Sequence, residues 1–357
     1  MDSSTLFGIS TMSYIIAMVI YIGYLAFRKE KVGVTASVVT YFGFIMQTLA
    51  IILRWIESYQ MGIGHAPLSN LYESMVFFSW TLILFYIFLE YRYRNRSFGA
   101  FVTTVAALAL AFITVTPGIS KEISPLVPAL QSNWLIAHVV LSFLGYAAFA
   151  VSYCSALMYL ILTSEKKTEG SYIFWTICVG LTIILLIAFG IDFINFKILS
   201  PVPLQESIVK QHLLESTFRN PSLAIKILSL ILAHAVAITI WAKGMRLKDI
   251  LLRIAPSTEV LDEVTYKMIT IGFPLLSLGI ITGAIWADSA WGSYWQWDPK
   301  ETWSLITWLV YAIYLHSRFR KGWRGKKIAV VSVIGFIAVI FTYLGVNLIL
   351  SGLHSYA

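Results

Sequence analysis

"VTASVVTYFGFIMQTLAIIL", residues 34–53, is an uninterrupted run without a charged side chain. A hydrocarbon core about 30 Å thick requires roughly 20 apolar residues in each helix that crosses it. The stretch therefore predicts a membrane-spanning helix. Nine other stretches meet similar conditions, so we predict ten helices, near 10–27, 34–53, 75–89, 98–116, 134–162, 172–191, 223–242, 267–286, 302–317 and 328–352.

The composition of the whole chain agrees with this class. Apolar residues make up 58% of its 357 positions, charged residues make up 12%, and the mean hydropathy is +0.78. So few polar residues cannot cover the surface of a soluble globule. We therefore predict an all-α polytopic membrane protein in which residues 1–357 form a single integral membrane domain.

Lysine and arginine cluster in alternate connections between the predicted helices. Of the 26 basic residues, 19 lie in the connections 28–33, 90–97, 163–171, 243–267 and 317–327. Basic connections stay preferentially on the cytoplasmic side. Both termini and the segment 286–303 are therefore expected on the external face. The formal charge of +8 is interpreted as anchoring to anionic lipid, with no nucleic acid as partner.

Several classes of chemistry lack their sequence signals. Cys154 and Cys178 lie in different predicted helices without CxxC spacing, so we interpret them as buried apolar residues rather than redox groups. No Walker loop, dinucleotide fingerprint or cysteine zinc site is present. The near absence of acidic residues within the predicted helices argues against an ion-coupled transporter.

A second stretch, "WADSAWGSYWQWDPKETW" at 286–303, is unusually rich in tryptophan. An aromatic belt at the membrane interface requires one or two rings. The larger number in one connecting loop predicts a flat apolar wall, which suits a large planar ligand. Asp298 and Pro299 mark the start of the next helix, and Asp298, Lys300 and Glu301 are interpreted as residues that cap it. The five tryptophans are Trp286, Trp291, Trp295, Trp297 and Trp303.

Three of the six histidines are placed by the predicted helices. His138, near the start of the fifth helix, and His354, beyond the tenth, are expected at the depth of the tryptophans. Two imidazoles facing each other across a planar cavity suit the axial positions of haem iron. His316 should lie roughly 20 Å deeper, at 1.5 Å of helix rise per residue. It either serves an inner site or is a snorkelling histidine beside Arg318.

The motifs together resemble a known family. The stretch 286–303, with "TWLVYAIYLH" at 307–316 and "GVNLILSGLHSYA" at 345–357, is similar to the CcsA (ResC) family of System II cytochrome c biogenesis proteins, the WWD-domain haem handlers. "HAPLSNLYESMVFFSW" at 65–80 extends the resemblance, as does the stretch 126–147. The variable region 165–265 contains no matched motif, so His212 and His234 receive no role. His65 receives none either.

The resemblance implies a haem-handling site. His138 and His354 would ligate the iron of haem b, while Trp286, Trp291, Trp295, Trp297, Asp298 and Trp303 would form the surrounding WWD segment. His316 would serve a second haem position, completed by a histidine of a CcsB (ResB) partner. Arg54, at the outer end of the second helix, and Lys300 are candidates for binding the haem propionates.

The resemblance also implies an activity: a cytochrome c-type haem lyase or synthase. It would join haem vinyl groups to the CxxCH thiols of apocytochrome c, together with CcsB (ResB) and a thioredoxin-like thiol reductant. The substrate's own thiols attack, so no acid or base of this chain is assigned. The membrane would be a bacterial plasma membrane or a thylakoid membrane, with the WWD segment on the external or lumenal side. A haem carrier or exporter without ligase activity, and an assembly scaffold, remain alternatives.

Overall fold

The computed structural model describes residues 2–115, 119–126, 128–165 and 248–349, and these residues contain helices but no strands. The helices are α1 Ser3–Phe27, α2 Glu30–Gln60, α3 Leu71–Tyr93, α4 Ser97–Val115, α5 Asn133–Thr163, α6 Thr258–Trp291, α7 Pro299–Arg320, α8 Lys326–Ile340 and α9 Val346–Ile349. A 3₁₀ turn covers Pro128–Leu130, and a π-helical segment, Phe341–Gly345, joins α8 to α9. The predicted helices 172–191 and 223–242 lie outside the described residues, as do Cys178, His212, His234 and His354.

The chain divides into two compact units. One comprises Met1–Thr114, Ser120–Thr163 and Ile250–Ala357, and the other comprises Val115–Ile119 and Ser164–Asp249. Almost all of the described residues belong to the first unit. The cavity and the residues around it, described below, lie entirely within that unit.

Within the described residues, seven helical runs are long and apolar enough to cross a membrane, namely α1 to α6 and Lys326–Gly345. The protein is therefore an all-helical polytopic membrane protein. The predicted helix 302–317 forms as α7, but it is not among the seven. The reason is its composition, because α7 carries charged residues at both ends and hydroxyl-bearing residues along its length, of which Thr307, Tyr311 and Tyr314 are fully buried.

The helices extend beyond the apolar runs that predict them. The third was predicted at 75–89 and spans Leu71–Tyr93. It begins where Asn70 Oδ1 accepts a hydrogen bond from the Glu73 backbone N–H at 2.9 Å, and it ends at Arg94, whose φ is 48°. Capping residues, rather than the last apolar residue, thus determine the ends of this helix, because they satisfy its terminal backbone groups.

Small residues bring α5 and α6 close together. A Cβ added at Gly272 would lie 3.1 Å from the Gly145 carbonyl oxygen, and one at Gly279 would lie 2.6 Å from Ser142 Oγ. In membranes, close packing of this kind holds helices together, because the lipid is as apolar as the side chains. The predicted burial of Cys154, also on α5, is confirmed at 1% exposure.

The two ends of the bundle differ in their ion pairs. At one end, which we call the basic end, Arg96 contacts Glu30 and Glu90, and Arg318 contacts Asp262 at 2.6 Å. These pairs join the connections that carry most of the described basic residues. The opposite end, which we call the Trp-rich end, contains residues 286–303 and the start of α3.

Candidate functional site

A cavity of about 160 Å³ opens at the Trp-rich end of the bundle. It lies between the start of α3, the first turns of α5, the end of α6, the start of α7 and the segment that joins α8 to α9. Its wall combines apolar, aromatic and a few polar side chains. The residues that matter most for its chemistry are His138, Trp286, Trp295, Lys300, Tyr343 and Asn347.

His138 is held in one orientation. Its Nδ1 lies 2.6 Å from the carbonyl oxygen of Gly279 on α6. A carbonyl oxygen only accepts hydrogen bonds, so Nδ1 is the donor, and in the neutral imidazole Nε2 carries the lone pair. Metal-binding histidines commonly donate their second ring nitrogen in this way. The ring also stacks against Trp286, with centroids 6.4 Å apart and planes 16° apart.

The sequence predicted that the tryptophans lie in one connecting loop, but two of them belong to a helix. Trp286 and Trp291 are on the last turns of α6, which continues to Gly292. Gly292 has a φ of 74° and donates its N–H to the Asp288 carbonyl oxygen at 2.8 Å. A residue without Cβ adopts this left-handed conformation at little cost, so the helix ends there rather than at Trp286.

The tryptophan rings do not form the flat wall that was expected. Trp286 meets Trp291 at 65°, and Trp295 meets Trp297 at 86°, as is typical of edge-to-face aromatic pairs. Only Trp286 and Trp295 of this group line the cavity, whereas Trp297 is 69% exposed. Trp303, on the second turn of α7, packs on Phe341, and their ring centroids lie 4.2 Å apart.

Asp298 and Glu301 cap α7, as predicted. Asp298 is the N-cap, and its side chain forms a reciprocal capping box with Glu301. Lys300 takes part in this cap through its backbone N–H, which donates to Asp298 Oδ1 at 2.9 Å, while the residue also lines the cavity. Its Nζ donates to Asn347 Oδ1 at 2.9 Å and lies 5.9 Å from the centre of the Tyr343 ring.

Arg54 is not among the residues that line the cavity. It is 2% exposed, and its Nε donates to Glu73 Oε1 at 2.7 Å. The other carboxylate oxygen of Glu73 accepts from the backbone and hydroxyl of Ser69, which does line the cavity. Arg54 thus contacts the cavity wall through Glu73, and its assignment to a propionate stays a prediction.

The remaining histidines lie in different surroundings. His316 is exposed on α7, about 25 Å along the helix from Pro299 at 1.5 Å per residue. Arg318, the residue beside which His316 was expected to lie, forms an ion pair with Asp262. His65 joins two loops, since its Nε2 lies 3.0 Å from the Ser124 carbonyl oxygen. The expected approach of His354 to His138 lies outside the described residues and stays a prediction.

Sequence reasoning missed several residues that support the site. Gly279 supplies the hydrogen-bond acceptor for His138, and Gly283 leaves room for its ring. Asn347 and Glu73 bond to Lys300 and Arg54. Asn347 and Glu73 could have been noticed in the sequence, because each is a polar or charged residue within an apolar run. The two glycines give no such signal.

These features define an integral membrane protein with a histidine-bearing, aromatic cavity at one end of its helix bundle. Residues 68–354 match the model of the family described as Cytochrome C assembly protein. The chain therefore belongs to this family, in its CcsA branch. The match includes the region 165–265, in which we had found no motif.

Curated relatives align over most of the chain. Cytochrome c biogenesis protein CcsA of Pyropia yezoensis is 37% identical over 344 residues, covering 96% of this chain and 93% of the relative. The protein of that name from Trieres chinensis is 34% identical over 362 residues, covering 100% and 96%. That from Trichormus variabilis is 40% identical over 307 residues, covering 85% and 82%. The resemblance predicted from the motifs is confirmed, and it indicates a role in cytochrome c biogenesis.

Proposed function

We propose that this protein holds haem b in the cavity at the Trp-rich end and attaches it to apocytochrome c. One observation carries the proposal: His138 lines an aromatic cavity with its Nδ1 committed to Gly279, which leaves Nε2 for the iron. His354, on the chain that follows α9, is proposed as the second axial ligand. Two imidazole ligands would also tune the iron potential, with the reduced form productive.

The wall of the cavity suits a porphyrin. The indoles of Trp286 and Trp295 offer aromatic surface to the macrocycle, while His138 lies beside them. The cavity volume of about 160 Å³ is below the roughly 300–1,000 Å³ of typical ligand pockets. A bound macrocycle would therefore project beyond the enclosed space. Such a position would leave the vinyl edge accessible to a peptide.

The proposed reaction requires positioning rather than a protein nucleophile. Each CxxCH thiol adds across a haem vinyl group: sulfur bonds to one vinyl carbon, and the thiol hydrogen ends on the other. Atoms balance without an oxidant, provided that a thioredoxin-like reductant keeps both thiols reduced. The contribution of this chain is to hold haem in one orientation while the peptide comes into register. The CxxCH histidine then replaces one protein histidine and releases the product.

The topology and the partner belong to the same proposal. With the basic end on the cytoplasmic side, the Trp-rich segment and both termini face outward, toward the bacterial cell exterior or the thylakoid lumen. His316 would lie near the opposite side, at an inner haem position. Its exposure on α7 makes it accessible to a histidine from CcsB (ResB). Haem would reach this inner position before the cavity.

Co-expression with CcsB (ResB) and an apocytochrome bearing CxxCH tests the function. We expect a bis-histidine haem spectrum from the purified protein and covalent cytochrome only when the partner is present. His138→Ala should abolish maturation while the protein remains in the membrane, and added imidazole should partly restore it. Bound haem without covalent product would indicate a carrier or exporter, whereas absence of haem would support a scaffold and refute the proposal.

A further inference from the structure

His65 is a buried histidine whose two ring nitrogens both face carbonyl oxygens. Its Nδ1 lies 2.8 Å from the Ala66 carbonyl oxygen, and its Nε2 lies 3.0 Å from the Ser124 carbonyl oxygen. The residue is 8% exposed. A carbonyl oxygen only accepts hydrogen bonds, and a neutral imidazole has a single N–H. Both contacts are therefore hydrogen bonds only when the ring carries two protons and a positive charge.

The ring of His65 joins two separate connections of the chain. His65 lies between α2 and α3, and its backbone is fixed there: its N–H donates to Ser58 Oγ at 3.0 Å, and the Ser58 hydroxyl donates to the His65 carbonyl oxygen at 2.8 Å. Ser124 lies in residues 120–126, between α4 and α5. Arg54 Nη2 also bonds to this second connection, at the Lys121 carbonyl oxygen, 3.0 Å away. Two cationic side chains thus hold residues 120–126 against the end of α2.

Both connections continue directly into the wall of the cavity at the Trp-rich end. The chain that follows His65 lines the cavity just before α3 begins, and the chain that follows residues 120–126 lines it at the start of α5. The bond from His65 to Ser124 therefore joins two neighbouring parts of this wall, one of which carries His138. The wall residues concerned are Leu68, Ser69 and Asn70 before α3, and Leu130, Leu135 and His138 around the start of α5.

The charged side chains on the neighbouring elements have other partners or are exposed. Arg54 and Glu73 pair with each other at 2.7 Å, Glu57 accepts from the backbone of Ser3 at 2.9 Å, and Lys121 and Glu122 are exposed. Among the described residues, no carboxylate forms an ion pair with the His65 ring. The positive charge of the ring is thus stabilised by the two carbonyl oxygens, and it depends on the proton that each ring nitrogen carries.

We propose that His65 is a pH-dependent latch, which holds residues 120–126 against the connection between α2 and α3 and thereby positions the cavity wall around His138. Loss of one proton leaves a ring lone pair facing a carbonyl oxygen, so one of the two hydrogen bonds becomes a repulsive contact. The charge of an ordinary histidine changes between about pH 5 and 8. The latch is therefore closed at the acidic end of this range and opens as the pH rises.

Distances between two spin labels test the latch in the purified full-length chain in detergent. The labels are attached to Gln60→Cys, at the end of α2, and Ser120→Cys, because both positions are exposed. Cys178→Ser removes one natural cysteine, and Cys154 is 1% exposed. We expect a narrow distance distribution at about pH 5.5 and a broader, longer one at about pH 8.5. The ratio of open to closed protein should rise roughly 10- to 100-fold, as expected for loss of a hydrogen bond to a charged group.

Two substitutions that cannot titrate provide the matched comparison. The amide of His65→Gln keeps an N–H donor for the Ser124 carbonyl oxygen, so the distribution should stay narrow at both pH values. His65→Ala has no donor and should give the broad distribution at both. All other titratable groups are present in His65→Gln, which therefore controls for their effects. Opening of this variant at high pH, or an unmodified chain whose distances do not change with pH, would overturn the latch.

The effect of the latch on His138 rests on the proposed function and has its own measurement. Haem is titrated into the unmodified chain and into His65→Gln at the same two pH values. The affinity of His65→Gln relative to the unmodified chain should rise with pH, because only the unmodified chain opens. An unchanged ratio would overturn the positioning role while leaving the latch intact. Failure of both proteins to bind haem would instead overturn the proposed function, and the positioning role with it.

Discussion

Replacing Gly283 by alanine tests the proposed ligand role of His138 without removing the imidazole. A Cβ at this position would lie 2.5 Å from His138 Nδ1 and 2.8 Å from its Cε1. Ordinary contact between such atoms begins near 3.4 Å, so the ring must retreat by about 1 Å. The 2.6 Å hydrogen bond from Nδ1 to the Gly279 carbonyl oxygen would then be lost.

We expect Gly283→Ala to disturb the folding of the protein less than it disturbs haem attachment. Overpacking costs about 1–3 kcal/mol, and replacing a helical glycine by alanine offsets up to ~1 kcal/mol of this. The protein should therefore fold. A ligand displaced by about 1 Å can lower a rate roughly 100-fold. We expect Gly283→Ala to mature little cytochrome c, with partial restoration by added imidazole.

The assay compares covalent cytochrome yield and haem content in four proteins. These are the unmodified chain, Gly283→Ala, His138→Ala and the double variant. If Gly283 acts through His138, the double variant should be no worse than His138→Ala alone. Gly8→Ala is the matched control, because a Cβ at Gly8 meets nothing within 4 Å. Normal maturation by Gly283→Ala, or a double variant much worse than His138→Ala, would refute the reasoning.

Three further predictions concern topology, the inner histidine and the buried ion pair of Arg54 with Glu73. Reporter fusions after positions 96 and 300 should give opposite signals, and identical signals would reject the proposed orientation. His316→Gly should deplete haem from the whole protein, whereas full occupancy of the outer site would show that no inner relay precedes it. Arg54→Ala should lower the free energy of unfolding by about 3–5 kcal/mol, because it leaves the buried Glu73 carboxylate without its cation. The double variant Arg54→Met with Glu73→Leu should recover much of this loss in thermal unfolding, and a loss below 1 kcal/mol in Arg54→Ala would contradict a structural role for the pair.

Helix positions were predictable where a local signal exists. The run 34–53 lies within α2, Glu30–Gln60, and the run 134–162 lies within α5, Asn133–Thr163. Both helices extend past the apolar run, because a helix that leaves the hydrocarbon core can continue among polar residues. The capping role of Asp298 was predictable for a similar reason, since it depends on contacts within one turn of α7.

The rotation of each helix was not predictable. Lipid is as apolar as the interior of the bundle, so apolar residues on all sides of a helix do not indicate which side packs against its neighbours. Trp286 and Trp291 illustrate the consequence. Both belong to the same cluster in the sequence, yet Trp286 lines the cavity and Trp291 packs behind it.

The sequence by itself determined the class of this protein, the approximate location of the helices that the structure describes, and its family. These properties follow from composition, from apolar runs and from motifs, all of which are local along the chain. Only the tertiary structure decided that His138 bonds to Gly279, 141 residues away, and that Lys300 turns toward Asn347. Such contacts depend on how close two helices approach and how each is rotated, and these are set by the packing of the whole bundle.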